Sequence, residues 1–167
     1  MSGKILDCAA GPASFNAEAT RKGINVTSCD PIYRFGADEI RARIRDIFDT
    51  LVSNTAARCG EFVWRDIESP KHLGEVRMSA MRTFLEDFPQ GLKQELYIED
   101  SLPGLHFEAG AFDLALCSHF LFTYTDQLSI AFHVAAIEEM FRVAREVRIF
   151  LLLKSYGGPS PHLEHLS

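Results

Sequence analysis

Two carboxylates flank a turn of small residues near the start of the chain, and this is its first arrangement able to do chemistry. Asp7 stands near the end of the apolar run 4–8, the turn Ala9-Ala10-Gly11-Pro12-Ala13 follows, and Asp30-Pro31 closes the next apolar run, 24–29, 19 positions after Gly11. Small residues let a backbone approach a ligand closely. A helix opening at Ser14 supplies free N–H groups, and Asp30 can accept hydrogen bonds from a ribose diol. An adenosine-type ligand suits that set; the competing reading is a structural strand–turn–helix in which Asp30 is only turn chemistry. The turn departs from the GxGxxG dinucleotide fingerprint, with Ala9, Gly11 and Ser14 at the glycine positions, and a pyrophosphate would meet the Asp7 carboxylate. A cationic ligand carrying a ribose and an amine fits Asp7 and Asp30 better, because buried carboxylates need positive or donor partners.

Further along, His119 is the first candidate for a general base and Tyr124 the second, weighed against a near-core histidine that is merely satisfied. His133 rides the flank of an apolar helical face and reads as structural. His162 and His165 follow Gly157-Gly158-Pro159-Ser160-Pro161 without metal-ligand spacing, so no metal site is expected. Cys8, Cys29, Cys59 and Cys117 form no CxxC pair. Three of them lie in or at the ends of apolar runs and are expected to be reduced core thiols.

The elements that must position these residues alternate between strand-like and helix-like, which predicts an α/β fold with a mostly parallel sheet and helices on both faces. Strands are expected at 4–8, 24–29, 96–99, 112–118 and 147–153, the last being the most apolar and suited to a sheet interior. A helix from Ser14 ends at Gly23 with cations in its last turn. Another spans about 127–145, with Ile130, Val134, Ile137, Met140, Phe141 and Ala144 as its buried stripe and Glu138 paired with Arg142. Between them, residues 34–93 form an insertion with two amphipathic helices, 37–51 and 69–88, separated by the strand-like Phe62-Val63-Trp64. Its helices either cap the cleft and select a substrate, with Trp64 and Arg65 lining it, or form a solvated outer layer.

The 167 residues make one domain, with 47% hydrophobic and 24% charged residues, far from disorder. Seventeen Lys+Arg against 23 Asp+Glu give a net charge of −6, and no basic stripe is present, which argues against nucleic acid as the main partner. No apolar run is long enough to span a membrane and no signal peptide is legible, so a cytoplasmic protein is expected.

The order of these features resembles a known family. Ile5-Leu6-Asp7-Cys8-Ala9-Ala10-Gly11-Pro12-Ala13 resembles motif I of class I S-adenosylmethionine-dependent methyltransferases, and Cys29-Asp30-Pro31 resembles their acidic second-strand end. Ser101-Leu102-Pro103-Gly104-Leu105-His106-Phe107 resembles the D-A-x-x-L-P-F stretch, and Phe112-Asp113-Leu114-Ala115-Leu116-Cys117-Ser118 the F-D-x-V strand. Cys117-Ser118-His119-Phe120-Leu121-Phe122 and Glu146-Val147-Arg148-Ile149-Phe150 are similar to an uncharacterised bacterial subgroup. The resemblance implies a Rossmann-like class I methyltransferase fold that binds S-adenosyl-L-methionine and methylates a small-molecule acceptor. Asp7, Ala9, Ala10 and Gly11 would flank the methionine part, with Asp30 and Pro31 at the ribose. Ser101 stands where the family has an Asp facing the adenine amine, so either Asp100 or the Leu102 N–H would make that contact. Ser118 and His119 would face the methyl-bearing end. A non-catalytic cofactor- or partner-binding module of the same fold is the second reading, and a nicotinamide oxidoreductase the third.

The resemblance also implies strand order 3-2-1-4-5-7-6, whereas this chain stops soon after the fifth strand. The open edge is expected to pair two copies into a homodimer, to lower stability, or to mark a fragment of a longer enzyme.

Overall fold

The computed structural model describes residues 3–61, 64–155 and 157–165. Five strands, β1 (Lys4–Cys8), β2 (Asn25–Cys29), β3 (Tyr97–Ile98), β4 (Phe112–Ser118) and β5 (Ala144–Phe150), form one sheet in the order β3-β2-β1-β4-β5. Every neighbouring pair is parallel. The chain is therefore α/β, with helices α1 (Phe15–Arg21), α2 (Ala37–Ala57), α3 (Pro70–Lys93) and α4 (Ile130–Val143) packed around the sheet.

Alternation along β1 sets the two faces. Leu6 and Cys8 join Ala115, Cys117 and the α4 residues Ala136, Met140 and Val143 in one core cluster. Asp7 points the other way, towards α1, where it meets Ser28 and the buried Asn16 network. Asn16 donates to Ser28 Oγ at 3.0 Å and to the Leu96 carbonyl at 2.8 Å, so a single amide ties α1 to β2 and to the approach of β3.

The insertion packs on the β3 side of the sheet. Tyr33, Phe84, Phe88 and Tyr97 form a compact aromatic cluster with ring centroids 4.8–5.9 Å apart, joined by Ile40 and Ile44. A Cβ on Gly91 would stand 2.3 Å from the Tyr97 ring, so only glycine lets α3 come this close to β3. Beyond this contact α2 separates from the core, and Ile47 is 56% exposed although it lies on the predicted stripe. Phe62 and Val63, expected as part of a strand, lie outside the described residues.

Four expectations shift. The third strand, expected at 96–99, has only two paired residues. The last strand begins at Ala144 instead of Val147 and ends at Phe150; its pairing Phe112↔Ala144 converts the end of the predicted helix directly into strand. The open edge expected here is present, since β5 has no neighbour beyond β4 among the described residues, but Leu152 and Leu153, expected within this strand, lie past its end and are 46% and 42% exposed. Finally, α4 is rotated from the predicted stripe: His133, Ala136, Met140 and Val143 are buried, while Val134 and Phe141 are exposed, and Arg142 pairs with Glu139 rather than Glu138.

Candidate functional site

The carboxyl ends of β1, β2 and β4 open onto a cavity of about 430 Å³, where ligands sit in open parallel sheets. Of the residues singled out in the sequence, Ala9, Gly11, Asp30, Pro31, Asp100, Ser101, Leu102, His119 and Tyr124 line it, together with Phe120, which was missed. Asp7, Ala10 and Ser118 do not. Asp7 is buried beneath the turn, Ala10 packs against the aromatic cluster, and the Ser118 hydroxyl is hydrogen-bonded to His119. Among the described residues none of α2 or α3 lines the cavity, and neither do Trp64 and Arg65; the two helices form an outer layer on the β3 flank. The Trp64 indole N–H donates to the Cys59 carbonyl at 2.7 Å.

The small-residue turn is shaped by its backbone. Ala9 and Gly11 have φ of 53° and 58°, in the left-handed region that costs a non-glycine residue about 1–2 kcal/mol. Open space surrounds the position a Cβ of Gly11 would take, leaving room for a ligand against the chain. Asp30 fixes the turn: Oδ2 accepts the Gly11 N–H at 3.0 Å, while Oδ1 accepts the Ile32 N–H at 2.8 Å and caps the short helical turn Pro31–Arg34. From the other side, the Tyr33 hydroxyl donates to the Gly11 carbonyl at 2.8 Å. Burial pushes the Asp30 carboxyl above its usual range, opposed by those two N–H groups. Tyr33 was not among the predicted site residues; its place three positions after a strand-terminal Asp was the available signal.

Asp7 is 6% exposed, with the Ser28 hydroxyl donating to it at 3.3 Å. Desolvation pushes its carboxyl up to about 7; the Ser28 bond pulls it down and the Asp30 charge pushes it further up. Among the described residues no Lys or Arg forms an ion pair with Asp7 or Asp30.

On the opposite wall Asp100 serves its own loop. Oδ1 accepts the Ser101 N–H at 2.9 Å, Oδ2 the His106 N–H at 2.8 Å, and His106 Nδ1 lies 3.1 Å from Oδ1. The Leu102 N–H, by contrast, has no acceptor among the described residues. The loop is clamped from α4: Glu139 accepts the Leu105 N–H at 2.7 Å, and Arg142 donates to the carbonyls of Leu105 and Phe107 at 2.9 Å each.

The third wall follows β4. His119 has φ of 56° and is exposed, so it is not a near-core histidine. Its Nδ1 lies 2.8 Å from Ser118 Oγ, and its ring meets Phe150 edge-on at 5.3 Å. Tyr124 is 46% exposed and stands 6.1 Å from the Phe120 ring. His133, in contrast, is fully buried, with both ring nitrogens 2.9 Å from carbonyl oxygens, those of Ser129 and Leu121. Among the described residues no group of His, Cys, Asp and Glu is arranged to hold a metal. No helix among them is long and apolar enough to cross a membrane.

No protein-family profile and no solved structure matches the chain. It is 32% identical over 167 residues to MJ0045, an uncharacterised protein of Methanocaldococcus jannaschii, in an alignment covering 99% of this chain and 75% of that protein.

Proposed function

The chain belongs to the family of this archaeal protein, and we propose that it is a class I methyltransferase that binds S-adenosyl-L-methionine and methylates a small-molecule acceptor. The observation that carries the reading is Asp30: a carboxylate at the end of β2, tied to the Gly11 turn and lining a cavity at the carboxyl edge of a parallel sheet. The strand order β3-β2-β1-β4-β5 supports it, being the first five strands of the order the resemblance implies. The charge supports it too. Asp30, which lines the cavity, has no cationic partner among the described residues, and a ligand carrying a sulfonium and an ammonium would bring positive charge to that wall.

The residues present fit the cofactor. The open space beside Gly11 admits a chain of atoms against the backbone, Asp30 accepts from ribose hydroxyls, and the unpartnered Leu102 N–H, rather than the engaged Asp100, serves the adenine edge. When bound, S-adenosylmethionine supplies an electrophilic methyl group whose leaving group drives the transfer. The protein's task is alignment and at most one proton. Ser118 holds Nδ1 of His119, leaving Nε2 to take a proton from the acceptor, while Phe120 and Tyr124 offer rings on which an acceptor lies.

Calorimetric titration with S-adenosylmethionine, S-adenosylhomocysteine and NAD tests this reading. Dissociation constants of about 1–100 µM are expected for the first two. Asp30→Ala should weaken both by about 100-fold, since it removes the diol acceptor and the brace of the Gly11 turn together. Tighter binding of NAD would instead indicate a dinucleotide enzyme. Binding without methyl loss in any acceptor screen would leave the non-catalytic module.

A further inference from the structure

The outer edge of β5 has no neighbouring strand among the described residues. Its pairing with β4 fixes which backbone groups that edge presents. The Phe150 carbonyl accepts the His119 N–H, and backbone groups alternate sides along a strand. Ala144, Glu146, Arg148 and Phe150 therefore turn their backbone towards β4, and Arg145, Val147 and Ile149 turn theirs outward. Side chains alternate as well. Val147 and Ile149 pack towards α4, flooring an apolar groove of about 250 Å³ rimmed by the exposed Phe141 and Leu152. Glu146, Arg148 and Phe150 stand on the opposite face; Glu146 and Arg148 are 55% and 68% exposed, and Phe150 is 61% exposed.

We propose that this edge pairs antiparallel with the same edge of a second copy, about a two-fold axis at Val147. Across such a ladder outward-turned residues lie opposite outward-turned ones as hydrogen-bonded pairs, and residues turned towards β4 lie opposite their own kind between them, which leaves a few registers. An axis at Glu146 sets Glu146 against itself, and one at Arg148 sets Arg148 against itself; both place like charges directly opposite, which is destabilising. The axis at Val147 sets Glu146 opposite Arg148 twice, Val147 opposite Val147, and the small Ala144 opposite the large Phe150. The Glu146–Arg148 pair, now closed within one strand at 2.6 Å, becomes a ring of four alternating charges. An isologous contact of this kind needs the same patch on both copies, and the sequence Glu146-Val147-Arg148 is complementary to itself about its centre. Pairing also covers Phe150, whose ring meets His119 edge-on, and so braces one wall of the cavity.

Sedimentation velocity over a range of concentrations, combined with residue-resolved hydrogen exchange, tests the proposal. The wild-type chain should dimerise, and the amides of Arg145, Val147 and Ile149 should gain protection as dimer forms. E146R and R148E should each weaken the dimer about tenfold or more, and the double swap E146R/R148E should restore it, because it recreates the opposite pairs in reversed order. Restoration by the double swap separates pairing across the edge from any effect on folding, and circular dichroism melts confirm that each variant is folded. A chain that stays monomeric up to about 0.5 mM overturns the proposal. So does a dimer indifferent to both single variants, or one whose edge amides exchange alike at all concentrations.

Discussion

Asp7 is buried on the α1 face with one hydroxyl as its hydrogen-bond partner and Asp30 as an unfavourable neighbour, and its carboxyl titrates at about 7 instead of 3.8. The folded chain therefore binds this proton more tightly than the unfolded chain does. The stability linked to the proton is complete below about pH 4 and is lost as pH rises through 7. In urea unfolding, wild type should lose on the order of a few kcal/mol between pH 4 and 8 from this residue. Asp7→Asn, which keeps the shape without the charge, should flatten that part of the slope and be the more stable form at pH 8; an unchanged slope would assign the titration elsewhere. The identity of this carboxylate was legible in the sequence, but its place was not. Alternation along β1 turns Asp7 away from the core cluster of Leu6 and Cys8, and only the arrival of Ser28 and Asn16 on that face decides that it supports the turn from below. His119 shows the converse. Its exposure comes from a left-handed backbone just past β4, which residue type does not announce.

At the level of elements, the approach of β3 to the cavity depends on α4. Arg142 reaches the Leu105 and Phe107 carbonyls while pairing with Glu139, which accepts the Leu105 N–H, and that guanidinium beside Glu139 holds its carboxyl below the usual range. Residues 101–107, which carry Ser101 and Leu102 to the cavity, are thus held from one helical turn. Arg142→Ala should loosen the loop and weaken S-adenosylhomocysteine about fivefold, with faster amide exchange at Leu105, whose acceptor loses its anchor. Unaltered affinity and exchange would show that the loop holds its own shape through Asp100. Helical periodicity found α4, but it placed the partner of Arg142 one residue early. It also placed Phe141 on the buried stripe, because the helix turns its His133 face to the core and leaves Phe141 over the groove beside β5. The strand following it was misplaced for a related reason. Apolar character pointed to 147–153, whereas register with Phe112 begins the strand at Ala144 and leaves Leu152 and Leu153 outside it.

Across the whole molecule, the α/β class and the parallel sheet were legible because each crossover repeats the same pattern of apolar run, turn and amphipathic stretch; the strand order came from the family resemblance, since alternation alone does not say which strands lie side by side. The role of the insertion was not legible. Both its helices are amphipathic, and only the aromatic cluster on Tyr33 and Tyr97 shows that they cover the β3 flank instead of the cleft. The molecule is consequently uneven, with a sheet core built around α4 and an outer layer whose α2 buries only Ile40 and Ile44. The cysteines sample both regions. Cys29, Cys8 and Cys117 stand abreast on β2, β1 and β4, all buried, whereas Cys59 lies exposed after α2. Burial raises the Cys117 thiol to about 12, and the hydrogen bond with the neighbouring Cys29 thiol, with burial behind it, raises that of Cys8, so neither presents a thiolate near neutral pH. In a thiol-labelling time course at pH 8, Cys59 should react at once and the other three together, at a rate set by global opening of the sheet. Mild urea should open the outer layer without exposing the three core thiols. If Cys8, Cys29 and Cys117 instead reacted one by one, the core would breathe locally, and if mild urea exposed them together with the opening of the outer layer, the two would be a single cooperative unit; in either case the uneven architecture would have no counterpart in stability.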